Sequence, residues 1–272
     1  MEDPESALFK FKGYYFNQLR LNIDNKLIKT LMAHLSAFGT NLYTTENKII
    51  SFTGTVWFQQ ILSLIYFEEH RKRTGSLDTN DQVPFLEPPP RLFATHLPYY
   101  LFPTGMKNKT AKIIYMYRNP KDALCSYFYF FKNVVLQLTG SFEEFSEQFL
   151  EGKVGGNLWF DHIKGWYEHK SLCNIQFMMY EEMKKDLRGS IVKVCKYLGK
   201  ELSEEDMDAV VTQAMFENMK TSMEAISLLF LPGTIGDWKN HMTIEQNERF
   251  DKIFQRKMKD FPLKFIWDMN ED

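Results

Sequence analysis

The chain has 272 residues, enough for one large α/β domain or two small ones, and with 44% hydrophobic residues, 24 Phe and 13 Tyr it can fill a core rather than stay disordered. Net charge is −2, from 33 basic and 35 acidic residues well mixed along the chain, which argues against a general nucleic-acid binder with its basic stripe. No composition break, linker or internal repeat divides it, so residues 1–272 are read as a single domain.

In chain order, Lys48 to Phe52 (KIISF) reads as a short buried strand, and Thr53-Gly54-Thr55 as a turn. Trp57, Ile61, Leu62 and Ile65 then recur at helical spacing, in a helix reaching about Arg73. Strand, turn and helix in this order is the layout of a phosphate-binding loop. A Pro-rich loop follows, then a second strand over Leu92 to Thr95 that runs into His96 and is stopped by Pro98. The next strand, Ala111 to Tyr117, leads through Arg118-Asn119 into a helix over 120–132. Pro120 suits that helix's first turn, where its missing N–H costs nothing.

Ser141-Phe-Glu-Glu begins a capped helix to about Leu150, and a further helix covers 158–169. Asn174 to Tyr180 (NIQFMMY) reads as a strand and 181–198 as one helix, stopped by Gly199. Ser203 caps a helix to about Ala214, and Thr243-Ile-Glu-Gln opens a last helix through Phe261. Strands alternating with helices predict a parallel sheet flanked by helices, an α/β fold with a phosphate-binding loop.

Arg118 falls at a strand C-terminus beside a helix N-terminus, a place where α/β proteins bind anions. Ser126 lies about two helical turns on and can add a hydroxyl to the same site. A surface ion pair is the alternative for Arg118. Cys125, Cys173 and Cys195 follow no metal spacing and read as buried free thiols, which fits a reducing compartment. The acidic start MEDPES lacks the apolar core of a signal peptide, and no run approaches a membrane span, so a cytoplasmic protein without membrane attachment is expected.

The run Arg118-Asn-Pro-Lys-Asp with Ser126 resembles the 3′-phosphate-binding segment of the cytosolic sulfotransferases. These move a sulfuryl group from 3′-phosphoadenosine 5′-phosphosulfate (PAPS) to small acceptors. The resemblance spans nearly the whole chain, from Lys10-Phe-Lys-Gly13 to FPLKFIWD (Phe261 to Asp268). WFDHIKGWYEH (Trp159 to His169), FMMYEEMKKDLR (Phe177 to Arg188) and NERFDKIFQRKMKDFPLKFIWD (Asn247 to Asp268) resemble the amine sulfotransferases within it.

The resemblance implies a PAPS-dependent transferase with no metal, acting on a small amine or on a phenol or alcohol. It makes His96, in Thr95-His-Leu-Pro98, the general base; a lone histidine without it reads as structural. It puts the 5′-phosphosulfate on the N–H groups of residues 54–57, Gly54 to Trp57 with Val56 among them, and on the hydroxyls of Thr53 and Thr55. Arg118 and Ser126 would take the 3′-phosphate and Gly233 the segment beside it. Trp57 and Tyr180 would hold the adenine, core packing being their alternative. Phe128, Phe130, Phe131 and Tyr99 are candidates to line an apolar acceptor pocket, or simply core.

Lys239, Thr243, Ile244 and Glu248 resemble the family's short dimerisation motif and imply a homodimer, with a helix cap plus solvated charges as the alternative.

Two departures matter. Family members read Tyr-Pro-Lys-Ser-Gly-Thr-x-Trp in the first loop, where this chain reads Ser51-Phe-Thr-Gly-Thr-Val-Trp57 and carries no Pro-Lys pair. Where the family shows Arg-Lys-Gly, this chain has Leu231-Pro232-Gly233, ahead of Gly236-Asp-Trp238. The loop before Arg91 and the stretch from Met219 to Gly233 also look short. The competing expectation is therefore a paralogue or splice form that keeps the fold and acts by binding. A nucleotide kinase fits poorly, since the chain has no GxxxxGK[ST] loop.

Overall fold

Four parallel strands meet in one sheet in the order β4-β3-β5-β6 in a computed structural model, formed by Lys48–Phe52 (β3), Arg91–Thr95 (β4), Ala111–Tyr117 (β5) and Asn174–Met179 (β6). The structure describes residues 8–11, 14–17, 48–52, 56–72, 91–102, 111–134, 140–154, 157–215 and 233–269. Parallel neighbours cannot be joined by tight hairpins, so the helices between them are the crossovers that the alternating pattern foretold. Ahead of the sheet, Leu8–Phe11 (β1) and Tyr14–Asn17 (β2) pair antiparallel. Sequence reading took this region only as a family motif and found no strands there, because four-residue aromatic runs are too short for periodicity to speak.

The central strand β5 explains the two-sided core. Its side chains alternate, as a pleated strand requires. Ile114 and Met116 face one cluster with helices Val56–Tyr66 (α1), Leu187–Leu198 (α7) and Glu204–Ala214 (α8), through Ile61, Ile65, Val194 and Val210. Ile113 and Tyr115 face the other cluster, with Pro120–Val134 (α3), Phe142–Glu151 (α4), Trp159–Glu168 (α5) and Ile244–Lys257 (α9), through Leu124, Phe149, Trp166 and Phe250. Burying each large side chain contributes roughly 1.5–3 kcal/mol. Phe128 belongs to this second cluster, where it packs against Phe142 and Phe145. Cys125, Cys173 and Cys195 are free and buried.

Several boundaries differ from the sequence reading. The first helix breaks at Phe67, whose N–H still bonds Ser63 O, and a short helix Glu68–Lys72 (α2) follows. Tyr180 is not the end of β6 but the first residue of a helix, Tyr180–Lys185 (α6). The expected single helix 181–198 is two: Asp186 stops α6, and its carboxylate accepts from Gly189 N to cap α7. The last helix ends at Lys257, short of Phe261, with Asp260 at φ 62° in the left-handed region. The capping boxes at Ser141 and Thr243 and the left-handed Gly199 that closes α7 are as expected. Among the described residues no helix is long and apolar enough to cross a membrane.

Strand register sets the site. Phe52 pairs with both Thr95 and Tyr115, and Tyr117 with Met179, so all four strands end on one edge of the sheet. Three C-terminal ends deliver residues singled out above, His96 after β4, Arg118 after β5 and Tyr180 after β6, and β3 ends at Phe52 on the same edge.

Candidate active site

Arg118 leaves β5 into a nest of buried polar groups. Asn119, fully buried, is the cap of α3: its Oδ1 accepts from Asp122 N at 2.8 Å. Its Nδ2 reaches Asp122 Oδ2 at 2.8 Å, Glu181 Oε1 at 3.2 Å and Ile266 O at 3.2 Å, and its own N–H donates to Glu181 Oε1 at 2.9 Å. Asp122 faces outward from this cap and holds the segment after Gly233, accepting from Gly236 N and Trp238 N at 2.9 Å each. Gly236, at φ 81°, suits that close approach.

The guanidinium lies between these acids. Arg118 Nη2 is 3.7 Å from Asp122 Oδ2 and donates to Thr234 O at 3.0 Å, while Nε is 4.0 Å from Glu181 Oε1. Among the described residues neither Arg118 Nε nor Glu181 Oε2, both buried, has a hydrogen-bond partner. Such orphaned groups are rare in native structures and call for a reason. Burial pushes the Glu181 carboxyl up to about 7, against the pull of its two N–H donors and of Arg118.

Tyr180 closes one side. The Arg118 guanidinium carbon lies 4.5 Å from its ring centroid. Its hydroxyl donates to Gly233 O at 3.0 Å, and burial raises its pKa to about 12, so it stays a neutral donor. Gly233, at φ 62°, adopts the left-handed turn that favours glycine. On the far side Tyr180 meets the edge of Trp57, with centroids 5.3 Å apart. Trp57 is itself buried in the first core cluster, and its indole N–H donates to Ala214 O at 2.6 Å. Thus Trp57, Tyr180, Arg118 and Gly233 form one continuous wall. Ser126, half-buried, lies one turn beyond Asp122 on the same face of α3. Val56 opens α1; Thr53, Gly54 and Thr55 lie outside the described residues, as do Leu231 and Pro232.

His96 stands exposed at the end of β4. Its backbone is anchored by α5. His162 Nε2 contacts His96 O at 3.2 Å, and Trp166 Nε1, one turn on, donates to Leu97 O at 3.1 Å. Tyr115 Oη meets His162 Nδ1 at 2.7 Å. Tyr99 stacks on His169 with centroids 4.0 Å apart. Burial lowers the His162 pKa to about 4, so its ring is neutral at physiological pH.

The rear of the site is closed by the chain's last described segment. Lys121, nearly buried, pairs with Asp251 at 2.6 Å and Asn247 at 2.5 Å, and its ammonium lies 4.3 Å from the Trp238 ring centroid. Trp238 donates to Trp267 O at 3.0 Å, and Lys239 pairs with Asp268. Thr243 caps α9, and Ile244 stands 81% exposed beside it. Among the described residues no group of three His, Cys, Asp or Glu could hold a metal ion.

Sequence reasoning missed Asn119, Asp122, Glu181 and His162. Asn119 and Asp122 were legible as a cap and its third helical residue; Asn-Pro was read only as a break. Glu181 and His162 act on partners far along the chain and leave no local signal.

The arrangement combines an arginine with an unpartnered buried donor, an aromatic wall beside it, and a histidine at the same sheet edge. These parts fit a phosphorylated nucleotide and a proton acceptor. The chain matches the family model for the Sulfotransferase domain over residues 50–262. It is 51% identical to the amine sulfotransferase of Oryctolagus cuniculus, over all of this chain and 97% of the relative. That alignment runs over 299 positions against 272 residues here, so the relative has segments without a counterpart in this chain. Identity to Sulfotransferase 1C2 of Rattus norvegicus is 35%, over 80% of this chain and 83% of that one. Among solved structures, mouse sulfotransferase SULT7A1 complexed with PAP superposes with a TM-score of 0.75 at 30% identity, covering 94% of this chain and 96% of that chain.

Proposed function

The chain belongs to the sulfotransferase family, beside the amine sulfotransferases, and from that premise we propose that it moves a sulfuryl group from PAPS to a small amine or to a phenol or alcohol, within one domain spanning 1–272. The observation that carries this reading is the shared sheet edge, where His96, Arg118 and Tyr180 follow three of four parallel strands and α1 follows the fourth, with Arg118 Nε left unpartnered among the described residues. Arg118 and Ser126 bind the 3′-phosphate. Gly233, held by Tyr180, frames it. Trp57 and Tyr180 wall the adenine. Thr53, Gly54, Thr55, Val56 and Trp57 supply donors to the 5′-phosphosulfate through the start of α1.

The acceptor attacks sulfur in line. The acceptor–sulfur bond forms as the bond from sulfur to the 5′-phosphate oxygen breaks, His96 takes the acceptor's proton, and adenosine 3′,5′-bisphosphate leaves with the electron pair. Catalysis of such a displacement rests on position and charge, as in phosphoryl transfer. Transfer needs the amine acceptor neutral, which favours an apolar pocket. Exposed Ile244, the capped Thr243 and the charges of Lys239 and Glu248 support a homodimer formed through this motif. The reading invokes no metal, and the composition suits a cytoplasmic setting.

A second reading, a relative that binds without turnover, is favoured by one specific observation: the first loop carries no lysine between Lys48 and Trp57 to steady the leaving oxygen. Calorimetric titration with adenosine 3′,5′-bisphosphate separates the cases. Low-micromolar binding that weakens in Arg118→Ala supports the nucleotide site, and an acceptor screen with PAPS then tells transfer from binding alone. A folded protein that binds none up to millimolar nucleotide overturns the enzyme reading and leaves a sulfotransferase fold kept for some other purpose.

A further inference from the structure

His96 hangs on β4, and Arg118 on β5. The two strands do not touch, because β3 lies between them. What joins the two ends across β3 is one side chain from a third element. His162, on α5, reaches His96 O with Nε2 at 3.2 Å and Tyr115 with Nδ1 at 2.7 Å. Tyr115 sits on β5, three residues before Arg118.

The chemistry of the chain of bonds is determinate. A backbone carbonyl can only accept, so Nε2 must carry the proton. In a neutral ring Nδ1 then accepts, and Tyr115 Oη must donate to it. Burial keeps the ring neutral, with its pKa lowered to about 4, so this tautomer persists through the physiological range. Trp166 Nε1 fixes the next carbonyl, Leu97 O, from one turn further along the same helix. Two consecutive carbonyls are thus held from inside, while the His96 side chain is presented outward.

We propose that His162, in the tautomer selected by the His96 carbonyl and completed by Tyr115, is a positioning residue that registers His96 against the nucleotide end of the site. The inference rests on His96 being the base. His162 touches no reacting atom. Its function is to set the distance between the proton acceptor and the strand that ends in Arg118. A misplacement of about 1 Å in such a relationship costs on the order of 100-fold in rate.

The test compares His162→Phe, His162→Gln and Tyr115→Phe with wild type. Three readouts are taken: the nitrogen shifts and titration midpoint of His96 in 15N-histidine-labelled protein, affinity for adenosine 3′,5′-bisphosphate, and kcat and KM with PAPS and an amine acceptor. Expected are a moved His96 midpoint and a kcat lowered about 10- to 100-fold in His162→Phe, with nucleotide affinity within about twofold of wild type. His162→Gln, which can both donate to the carbonyl and accept from Tyr115, restores most of both. Tyr115→Phe, a loss of one hydroxyl, gives a smaller shift in the same direction and serves if His162→Phe fails to fold.

An unmoved His96 midpoint in both folded Phe variants overturns the inference. So does a loss in nucleotide affinity as large as the loss in kcat. The His96 signals report the tether without any turnover. If His96→Ala transfers sulfuryl at the wild-type rate, the base assignment fails, and the tether is still decided by the nitrogen shifts.

Discussion

Arg118 lies over the face of Tyr180, its guanidinium carbon 4.5 Å from the ring centroid, while the hydroxyl of the same tyrosine holds Gly233 O at 3.0 Å. One side chain therefore orients the arginine and the turn beside it. Tyr180→Phe keeps the face and loses the hydroxyl, so it should weaken nucleotide binding by about 1 kcal/mol, roughly fivefold. Tyr180→Leu loses both and should cost more, by about 0.5–2 kcal/mol for the cation–π contact. Titration calorimetry of the two variants reads the difference. Equal losses in both would assign the whole effect to the turn.

Glu181 gives the site a pH response. Fewer negative charges beside Arg118 favour an incoming phosphate. With its carboxyl raised to about 7, Glu181 takes up a proton as pH falls through neutrality, and nucleotide affinity should rise across that window. Glu181→Gln should bind as tightly at pH 8 as wild type does at pH 6, after correction for the nucleotide's own titration. An unchanged pH slope in Glu181→Gln would remove this carboxyl from the account.

The same group and His162 act oppositely on folding. The Glu181 pKa is raised from 4.5, so its contribution is full below 4.5 and is lost as pH rises through about 7. The His162 pKa is lowered from 6.5, so its contribution is full above 6.5 and is lost as pH falls toward about 4. Across the overlap the two slopes cancel. Relative to wild type, Glu181→Gln should therefore lose stability on acidification from 7 to 4.5, and His162→Gln should gain it from 6.5 to 4. Each difference is at most about 3 kcal/mol by the usual conversion. Urea unfolding at stepped pH measures both, and parallel curves for the three proteins would refute the pairing.

Trp57 ties α1 to the end of α8 through Ala214 O at 2.6 Å. Trp57→Phe leaves an aromatic edge against Tyr180 and removes the indole donor. The buried carbonyl left behind costs about 1–3 kcal/mol, a fall in Tm of roughly 2–10 °C. A Tm within a degree of wild type would mean that the carbonyl finds another donor.

Ile244 is 81% exposed at the start of α9, next to the Thr243 cap. Ile244→Glu should abolish self-association in sedimentation velocity while leaving Tm nearly unchanged, since the side chain is 81% exposed. A wild-type protein that is monomeric at micromolar concentration would dispose of the dimer.

The sheet edge was legible because each strand is short, apolar and followed by a strong breaker or a charged residue. Arg118 could be placed from Asn119-Pro120 alone, and α9 from the Thr243 box. Tyr180 was misjudged for a physical reason: tyrosine favours strands, and NIQFMMY continues the apolar run by one residue. The acidic pair Glu181-Glu182 was the contrary signal, since carboxylates favour a helix N-terminus. Asp186 was invisible inside a helical pattern because its side chain can end one helix and cap the next. His162 and Glu181 belong to a different class. Their partners lie 47 to 66 residues away in sequence, and such pairings exist only once the sheet has formed.

The segment from Phe261 to Asp268 also sets an order in time. It supplies the carbonyl of Ile266 to Asn119, that of Trp267 to Trp238 and the carboxylate of Asp268 to Lys239. A ribosome makes these residues after every strand of the sheet. The chain emerging during synthesis can build β3 to β6, yet its arginine junction lacks part of its seal until residues 261–268 have been made. A product terminated before Phe261 would carry the sheet without a complete arginine junction.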